Sequence, residues 1–207
     1  MKHSFILVFL LLGIKPGLGQ NVVRKVLLLP HITTIQIDAD SLSQVSLETV
    51  SGSELSLEAV MEGEYKKDLS IELVEEGNTL RVSAAIQPFF IQPNDKLSAH
   101  KVIAISLSIG IPEDKIVYLY GTSARVSAMG IYKNLKVVLS DGQCVLKEAG
   151  DHISVTTQSG NIVLYTAGGS IRVNTKYGRV ERDSIPLGEN NFALQSNSGN
   201  ITIRSLE

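Results

Sequence analysis

Apolar and polar residues alternate along most of this chain, and in its second half the alternation repeats at a nearly fixed interval. Five glycines mark the repeat at intervals of 21, 18, 18 and 21 residues: Gly121, Gly142, Gly160, Gly178 and Gly199. Around each of the last four glycines, similar apolar residues precede and follow the turn, with one polar exception at Arg182. A period near 20 residues is typical of stacked repeats. The pattern predicts an all-β chain, a β-solenoid with about 18–21 residues per coil.

The repeat also predicts what its individual positions do. Each glycine is expected to permit a turn with a positive φ angle. Cys144 stands two residues after its glycine, in a column of inward apolar residues, which favours a small buried hydrophobe over a nucleophile or ligand. A neighbouring column is expected to bond between coils through side-chain amides, and it contains Gln143, Asn161, Arg179 and Asn200.

The first half of the chain alternates with period two between Gly and Ser turns, as in residues 34–37 and 45–48, which indicates half-buried strands. No convincing helical pattern is present. We therefore expect a signal peptide at residues 1–19 and one β-solenoid domain at residues 20–207. Within that domain, residues 20–108 hold N-terminal strands and an irregular loop, and residues 109–207 hold the regular coils.

Residues 1–19 have the composition of an export signal. A charged start is followed by the apolar run 5–12, and Gly17 and Gly19 are the small residues before a predicted cleavage site. This run is shorter than the ~20 residues that a membrane-spanning helix needs, and no second such run follows. The sequence predicts export to the periplasm, cell surface or extracellular space, without a transmembrane segment in the mature chain. An uncleaved signal anchor is the alternative.

Charge and composition narrow the range of partners. The formal net charge is −2, tryptophan is absent and Cys144 is the only cysteine. Neither a basic nucleic-acid footprint nor a polybasic membrane patch is present, so no nucleic-acid partner is expected. A single cysteine allows no intramolecular disulfide, and packing must supply the stability.

An apolar triplet, Phe89, Phe90 and Ile91, lies in the irregular stretch 84–100 between Pro88 and Pro93. Prolines exclude this stretch from a central strand. Two interpretations stay open. The triplet is either an exposed contact for a partner or a cover over the first coils, and the cover is favoured.

Several Ser-Gly turns carry a family resemblance. The segments concerned are 50–52, 107–114, 158–162 and 197–201, and the last two read Gln-Ser-Gly-Asn-Ile and Asn-Ser-Gly-Asn-Ile. In this arrangement the chain resembles the bacterial putative adhesin family, a domain of unknown function related to the head domains of putative auto-transporter adhesins. The resemblance implies a β-solenoid in the bacterial envelope or outside it, and it transfers no catalytic residues.

Candidate chemistry is confined to polar positions four and three residues before the glycines, which are expected to point outward. These columns read Val138/Leu139, Thr156/Thr157, Asn174/Thr175 and Gln195/Ser196. Thr156, Asn174 and Gln195 form a strip that could hydrogen-bond a glycan or another cell-surface component. The alternative is that such residues only suit solvated strands.

An enzyme is the competing class. The acids of the repeats occupy different columns, so the paired carboxylates of glycoside hydrolysis are not evident. His31, His100 and His152 are far apart and lack metal-ligand spacing, and we expect no metal and no cofactor. The sequence thus predicts an exported, non-enzymatic interaction protein of unknown ligand. A glycan-binding or polysaccharide-active β-helix protein is the alternative.

Overall fold

The structure of the chain is a computed structural model that describes residues 20–62, 69–86 and 104–206. Throughout these residues the regular secondary structure consists of strands alone, which confirms the all-β class. The predicted signal peptide, the Phe89–Ile91 triplet and His100 lie outside the described residues. The strands are β1 (Gln20–Leu27), β2 (Thr34–Asp38), β3 (Gln44–Val50), β4 (Glu54–Glu62), β5 (Leu69–Glu76), β6 (Thr79–Ile86), β7 (Ala104–Pro112), β8 (Ile116–Gly121), β9 (Arg125–Leu139), β10 (Cys144–Thr157), β11 (Ile162–Thr166), β12 (Ser170–Thr175), β13 (Val180–Arg182), β14 (Asn191–Ser196) and β15 (Ile201–Ser205).

All fifteen strands belong to one sheet, whose hydrogen-bonded neighbours form two rows. The first row runs β1-β4-β7-β3-β9-β10-β11-β15-β13, and the second runs β5-β6-β2-β8-β9-β10-β14-β12. The long strands β9 and β10 belong to both rows, because their first halves pair in one and their second halves in the other. A pair of register shifts in β10, beside the positive-φ residues Glu148 and Asp151, separates these halves. The sheet is not closed, and the finer prediction of a β-solenoid stays a prediction.

Side chains from both rows form one hydrophobic core. Alternation along the strands drives this arrangement, since every second residue of a strand faces the same side. In β10, for example, Ile153 and Val155 are buried while Ser154 and Thr156 are only half-buried. In the first row of strands, one inward row of side chains contains Val126, Cys144, Ile162, Ile201 and Val180, and all but Val180 are fully buried.

The last two repeats are stacked in an order opposite to their order in the chain. Residues 191–205, the inserted segment, pair on one side with β10 and β11 and on the other with β12 and β13. Residues 170–182, the end segment, therefore lie at the end of the stack although they precede the inserted segment in sequence. The parallel register Ile162–Ile201–Val180 records this order.

The predicted turn geometry is wrong, for a reason that the stacking explains. None of the five marker glycines is among the residues with positive φ, which are Gly52, Gly77, Gly130 and Gly169 among the described glycines. Glycine is needed instead because the backbones approach closely. A Cβ added to Gly160, Gly199 or Gly178 would overlap the carbonyl oxygen of the next glycine in the stack, respectively Gly142, Gly160 and Gly199.

Gly121 does not belong to this column. It pairs with Leu139, and the position beside Gly142 is taken by Ala124, against whose carbonyl a Cβ on Gly142 would collide. The column in space therefore reads Ala124, Gly142, Gly160, Gly199 and Gly178. Gly121 was grouped with the other glycines because of its nearly equal spacing in the sequence, but no strand pairing places it in the column.

The predicted amide column is confirmed in part. The backbone N–H of Asn200 donates to Oδ1 of Asn161 at 2.8 Å, and the N–H of Arg179 donates to Oδ1 of Asn200 at 2.9 Å. Each asparagine thus holds the next segment in the stack, and the order is again 161, 200, 179. The series ends at Arg179, which has no amide to extend it.

Candidate functional site

A groove of about 890 Å³ runs along the stack, where the second row of strands meets the turns that follow it. It crosses segments from both halves of the described chain. Its lining residues are Asp40, Tyr120, Gly121, Thr122, Val138, Leu139, Ser140, Thr156, Thr157, Gln158, Asn174, Lys176, Gln195, Ser196 and Asn197.

One wall of the groove contains the predicted polar strip. Strand register places Tyr120 beside Val138, Val138 beside Thr156, Thr156 beside Gln195 and Gln195 beside Asn174. At about 4.8 Å between adjacent strands, this row extends over roughly 19 Å. Gln195 and Asn174 are exposed and Thr156 is half-buried. The structure therefore brings the three predicted residues together, with Gln195 in the middle.

The second column predicted to point outward instead faces inward. Thr157 and Ser196 are each 3% exposed, and Thr175 is half-buried. The hydroxyl of Thr157 donates to the carbonyl of Gly160 at 2.6 Å, and the hydroxyl of Ser196 accepts the N–H of Gly199 at 2.9 Å. These hydroxyls close the turns, so the column contributes to the fold. Strand alternation requires this result, because adjacent residues of a strand point to opposite faces.

The opposite wall is formed by residues at the turns, which the repeat in the sequence did not indicate. It contains Asp40, Thr122, Ser140, Gln158, Asn197 and Lys176. At one end, the hydroxyl of Thr122 donates to Oδ1 of Asp40 at 2.7 Å, and at the other end Lys176 lies over the ring of Tyr177. Thr122 and Asp40 are 82 residues apart in the chain. No local sequence pattern could have joined them.

The backbone donors in this wall already have partners. The N–H groups of Ser140, Gln158 and Asn197 all donate to carbonyls of the neighbouring segment. A ligand in the groove would therefore contact side-chain hydroxyls and amides. These groups are mostly uncharged, and the charges of Asp40 and Lys176 lie at opposite ends of the groove.

The reactive side chains of the described chain lie elsewhere. Cys144 is fully buried, as predicted, and burial raises the pKa of its thiol to about 12. Burial also raises the pKa of Tyr132, whose hydroxyl donates to the carbonyl of Met129. His31 pairs with Glu75 at 2.9 Å and His152 with Asp151 at 2.7 Å, both at exposed positions. Among the residues that the structure describes, no cluster of His, Cys, Asp and Glu could hold a metal ion.

The groove contains a single carboxylate, that of Asp40. Hydrolysis of a glycosidic bond generally uses two carboxyl groups on opposite sides of the bond. Within the described residues, the other lining side chains are uncharged except for that of Lys176. No helix with the length and apolar composition of a membrane span occurs in the described part of the chain.

Comparison with solved structures shows the fold. A putative cell adhesion protein from Clostridium sporogenes aligns with a TM-score of 0.62 at 14% identity, over 90% of this chain and 100% of the other. Putative adhesins from Bacteroides fragilis and Parabacteroides distasonis align at 15% and 8% identity, over 90% and 91% of this chain and 97% and 98% of theirs, with TM-scores of 0.29 and 0.33. The likeness in fold therefore rests on the Clostridium sporogenes protein.

No family model matches the sequence, and no curated protein matches it. The resemblance to the putative adhesin family is confirmed at the level of fold by the structural match. At 14% identity the match shows fold alone. The function must be argued from the groove.

Proposed function

We propose that this chain is an exported, non-enzymatic adhesin or cell-envelope interaction protein, a single β-solenoid domain that binds an extended neutral polymer in the groove. The polymer class is a linear glycan at a cell surface. The observation that carries the proposal is the register Thr156–Gln195–Asn174, which sets three polar side chains side by side along one wall.

The shape of the groove supports a chain-like ligand. Hydroxyls and amides occur at most strand steps on both walls, with Val138 the apolar step of the first wall, so a ligand with its own repeated hydroxyl groups could form similar contacts at several steps. Each contact would be modest, at roughly 0.5–1.5 kcal/mol net for a hydrogen bond, and the affinity would come from their number. Tyr120, 40% exposed, adds an aromatic surface toward the Asp40 end.

The residues of the groove favour binding of the polymer over its cleavage. Asp40 has no second carboxylate beside it in the groove, and its Oδ1 already accepts the hydroxyl of Thr122. The likeness to a protein described as a cell adhesion protein is consistent with binding. Export rests on the sequence of residues 1–19, and the periplasm, the cell surface and the extracellular space are all compatible with it.

The test is a glycan-array screen of the purified mature chain, followed by a triple variant with Thr156→Ala, Gln195→Ala and Asn174→Ala. We expect the variant to lose retention on the glycans that bind the parent protein. Its melting transition should change little, because exposed substitutions usually cost under about 0.5 kcal/mol each.

A matched control separates the groove from the rest of the surface. Ser46, Ser127 and Thr202 are polar residues of the first row, outside the groove, and their triple alanine variant should retain glycan binding. Undiminished retention by the groove variant would contradict the proposal. Release of glycan fragments, detected by mass spectrometry, would instead support the polysaccharide-active alternative.

A further inference from the structure

The end segment leaves a sheet edge open. Among the described strands, β12 pairs only with β14 and β13 pairs only with β15. Each therefore has one side on which backbone N–H and C=O groups meet no other described strand. Such an edge is a template for pairing with another strand.

The side chains at this edge are apolar on the core side and basic outside. Ile171 and Val173 pack against the core but are only half-buried. Arg172, between them, is exposed and makes no ion pair with any described residue. The nearby acids Glu181 and Asp183 are already bound by Arg204, at 2.8 and 3.1 Å. Within the described chain, neither Arg172 nor Arg182 has an ion-pair partner, so the β12 edge carries the unpaired positive charge of Arg172.

At its opposite end, the same row of described strands ends at β5, whose outer face is acidic. Among the described strands, β5 pairs only with β6. Along β5, Glu72, Val74 and Glu76 alternate on the outer face and are exposed. Glu76 pairs with Arg81 at 3.0 Å, and Glu72 makes no ion pair within the described chain.

We propose that the β12 edge of one copy pairs with the β5 edge of a second copy, so that the protein associates end to end. In the second row, β6, β2, β8, β9, β10, β14 and β12 pair in parallel, and β5 alone is antiparallel to its neighbour. A second copy stacked along the same axis presents β5 antiparallel to β12, the direction in which two edges pair most readily.

The outer side chains fit this arrangement. Strand register places Val74 and Arg172 in the same outer row of the sheet, through Arg81, Gln36, Tyr118, Lys136, Ser154 and Ala193. If that row continues across the contact, Arg172 lies opposite Val74 of the second copy. Glu72 and Glu76 of the second copy are then its two diagonal neighbours, which long side chains can reach. On the core side, Val173 would meet Leu73 of the second copy.

A symmetric contact between two β12 edges is disfavoured. Antiparallel pairing of Ser170–Thr175 with itself would bring the two Arg172 side chains together, and like charges across a sheet are destabilising. The acidic β5 edges would repel in the same way. The heterologous contact that remains does not close on itself, so association should extend beyond a dimer.

The test measures the self-association of the purified mature chain by sedimentation velocity over a range of concentrations. We expect the parent protein to form dimers and longer species. Arg172→Glu should weaken this association by about tenfold or more, since it brings like charges together. A variant with Glu72→Lys and Glu76→Lys should behave similarly.

Mixing the two variants makes the experiment specific. The β12 edge of the Arg172→Glu protein complements the β5 edge of the Lys variant, and the unaltered β12 edge of the Lys variant complements the unaltered β5 edge of the Arg172→Glu protein. Only contacts between two copies of the same variant repel. The mixture should therefore recover the association that each variant loses alone, in species in which the two variants alternate. Arg125→Glu, the same charge change at an exposed position on β9, should leave association unchanged. A melt of each variant verifies folding.

Three results would overturn the proposal. A parent protein that stays monomeric at every concentration would show that these two edges do not pair. Undiminished association of folded Arg172→Glu protein would place the contact elsewhere. Equal weakening by Arg125→Glu would assign the effect to net charge.

Discussion

The inserted segment and the end segment have related sequences but different environments. Ile201 and Ile203 are fully buried in the inserted segment, whereas the residues that pair with them in the end segment, Val180 and Arg182, are exposed. The inserted segment has a neighbour on each side and the end segment has one. Burial in this protein therefore depends on a segment's place in the stack, and its place in the chain is a poor guide.

The largest expected effect comes from truncating paired residues of the two segments. Ile201→Ala should lower the free energy of unfolding by about 2–5 kcal/mol, because it leaves a cavity inside the stack. Val180→Ala, at the directly opposite position but 48% exposed, should cost about 0.5 kcal/mol. Denaturant melts of both variants measure the difference. Equal losses would show that the end segment is covered as fully as the inserted one.

A smaller difference is expected from the glycine column. Gly199→Val should cost about 3 kcal/mol, because its side chain would strike the carbonyl of Gly160 while Gly178 packs on its other side. Gly178→Val should cost about 1 kcal/mol, because the end segment has no described neighbour beyond it and can shift outward. Thr202→Val, on the outer face of the inserted segment, is the control: it introduces the same β-branched side chain where no backbone contact is expected. A smaller loss for Gly199→Val than for Gly178→Val would reverse the stacking order inferred here.

Two thiols in the same inward row, at positions 144 and 180, should differ clearly in reactivity, and the variant that tests this difference should have the smallest effect on stability. Cys144 and Val180 lie in the same inward row, with Ile162 and Ile201 between them. Cys144 should resist a thiol reagent at neutral pH until the protein unfolds, since it is buried and its thiol pKa is raised to about 12. In a Val180→Cys variant, the new thiol should react at once. Rapid labelling of Cys144 in the folded parent protein would refute its burial.

The same thiol predicts a pH dependence of stability. The pKa of Cys144 is raised on folding from 9.0 to about 12, so the folded chain keeps the proton that the unfolded chain loses. Its contribution to stability is complete below pH 9 and is lost as the pH rises from about 9 toward 12. In a Cys144→Ala variant, this part of the alkaline destabilisation should disappear.

Much of the fold could be predicted from the sequence because inward residues recur locally. Strand alternation around Ile153 and Val155 and the burial of Cys144 depend on residues within one repeat. The amide contacts of Asn161 and Asn200 were predicted because both occupy the same position of their repeats. The stacking order could not be read this way, because it depends on which segments pair across long separations. Two local signals were present nonetheless: the wider interval between Gly178 and Gly199, and the polar residue Arg182 in an otherwise apolar column.

The candidate site also contains residues that the repeat could predict and residues that only long-range pairing brings together. Thr156, Gln195 and Asn174 were found because they share one column of the repeat. The other wall was missed because Asp40 comes from the first described strands, far from the glycine repeat, and joins Thr122 only through the pairing of β2 with β8. The inward column of Thr157 and Ser196 was misassigned because adjacent positions were both taken as outward, which strand alternation does not allow.

The position of the inserted segment also has a consequence for the timing of folding. A polypeptide is synthesised from its N-terminus, and early segments can begin to fold before later ones exist. Residues 170–182 cannot take their place in the stack at that stage, because the strands they pair with are made after them. Residues 170–182 can form their native strand pairs only after residues 191–205 have been synthesised and have paired with the earlier strands β10 and β11. A ribosome that stalls before residue 191 would therefore leave the end segment without the strands, β14 and β15, with which it pairs.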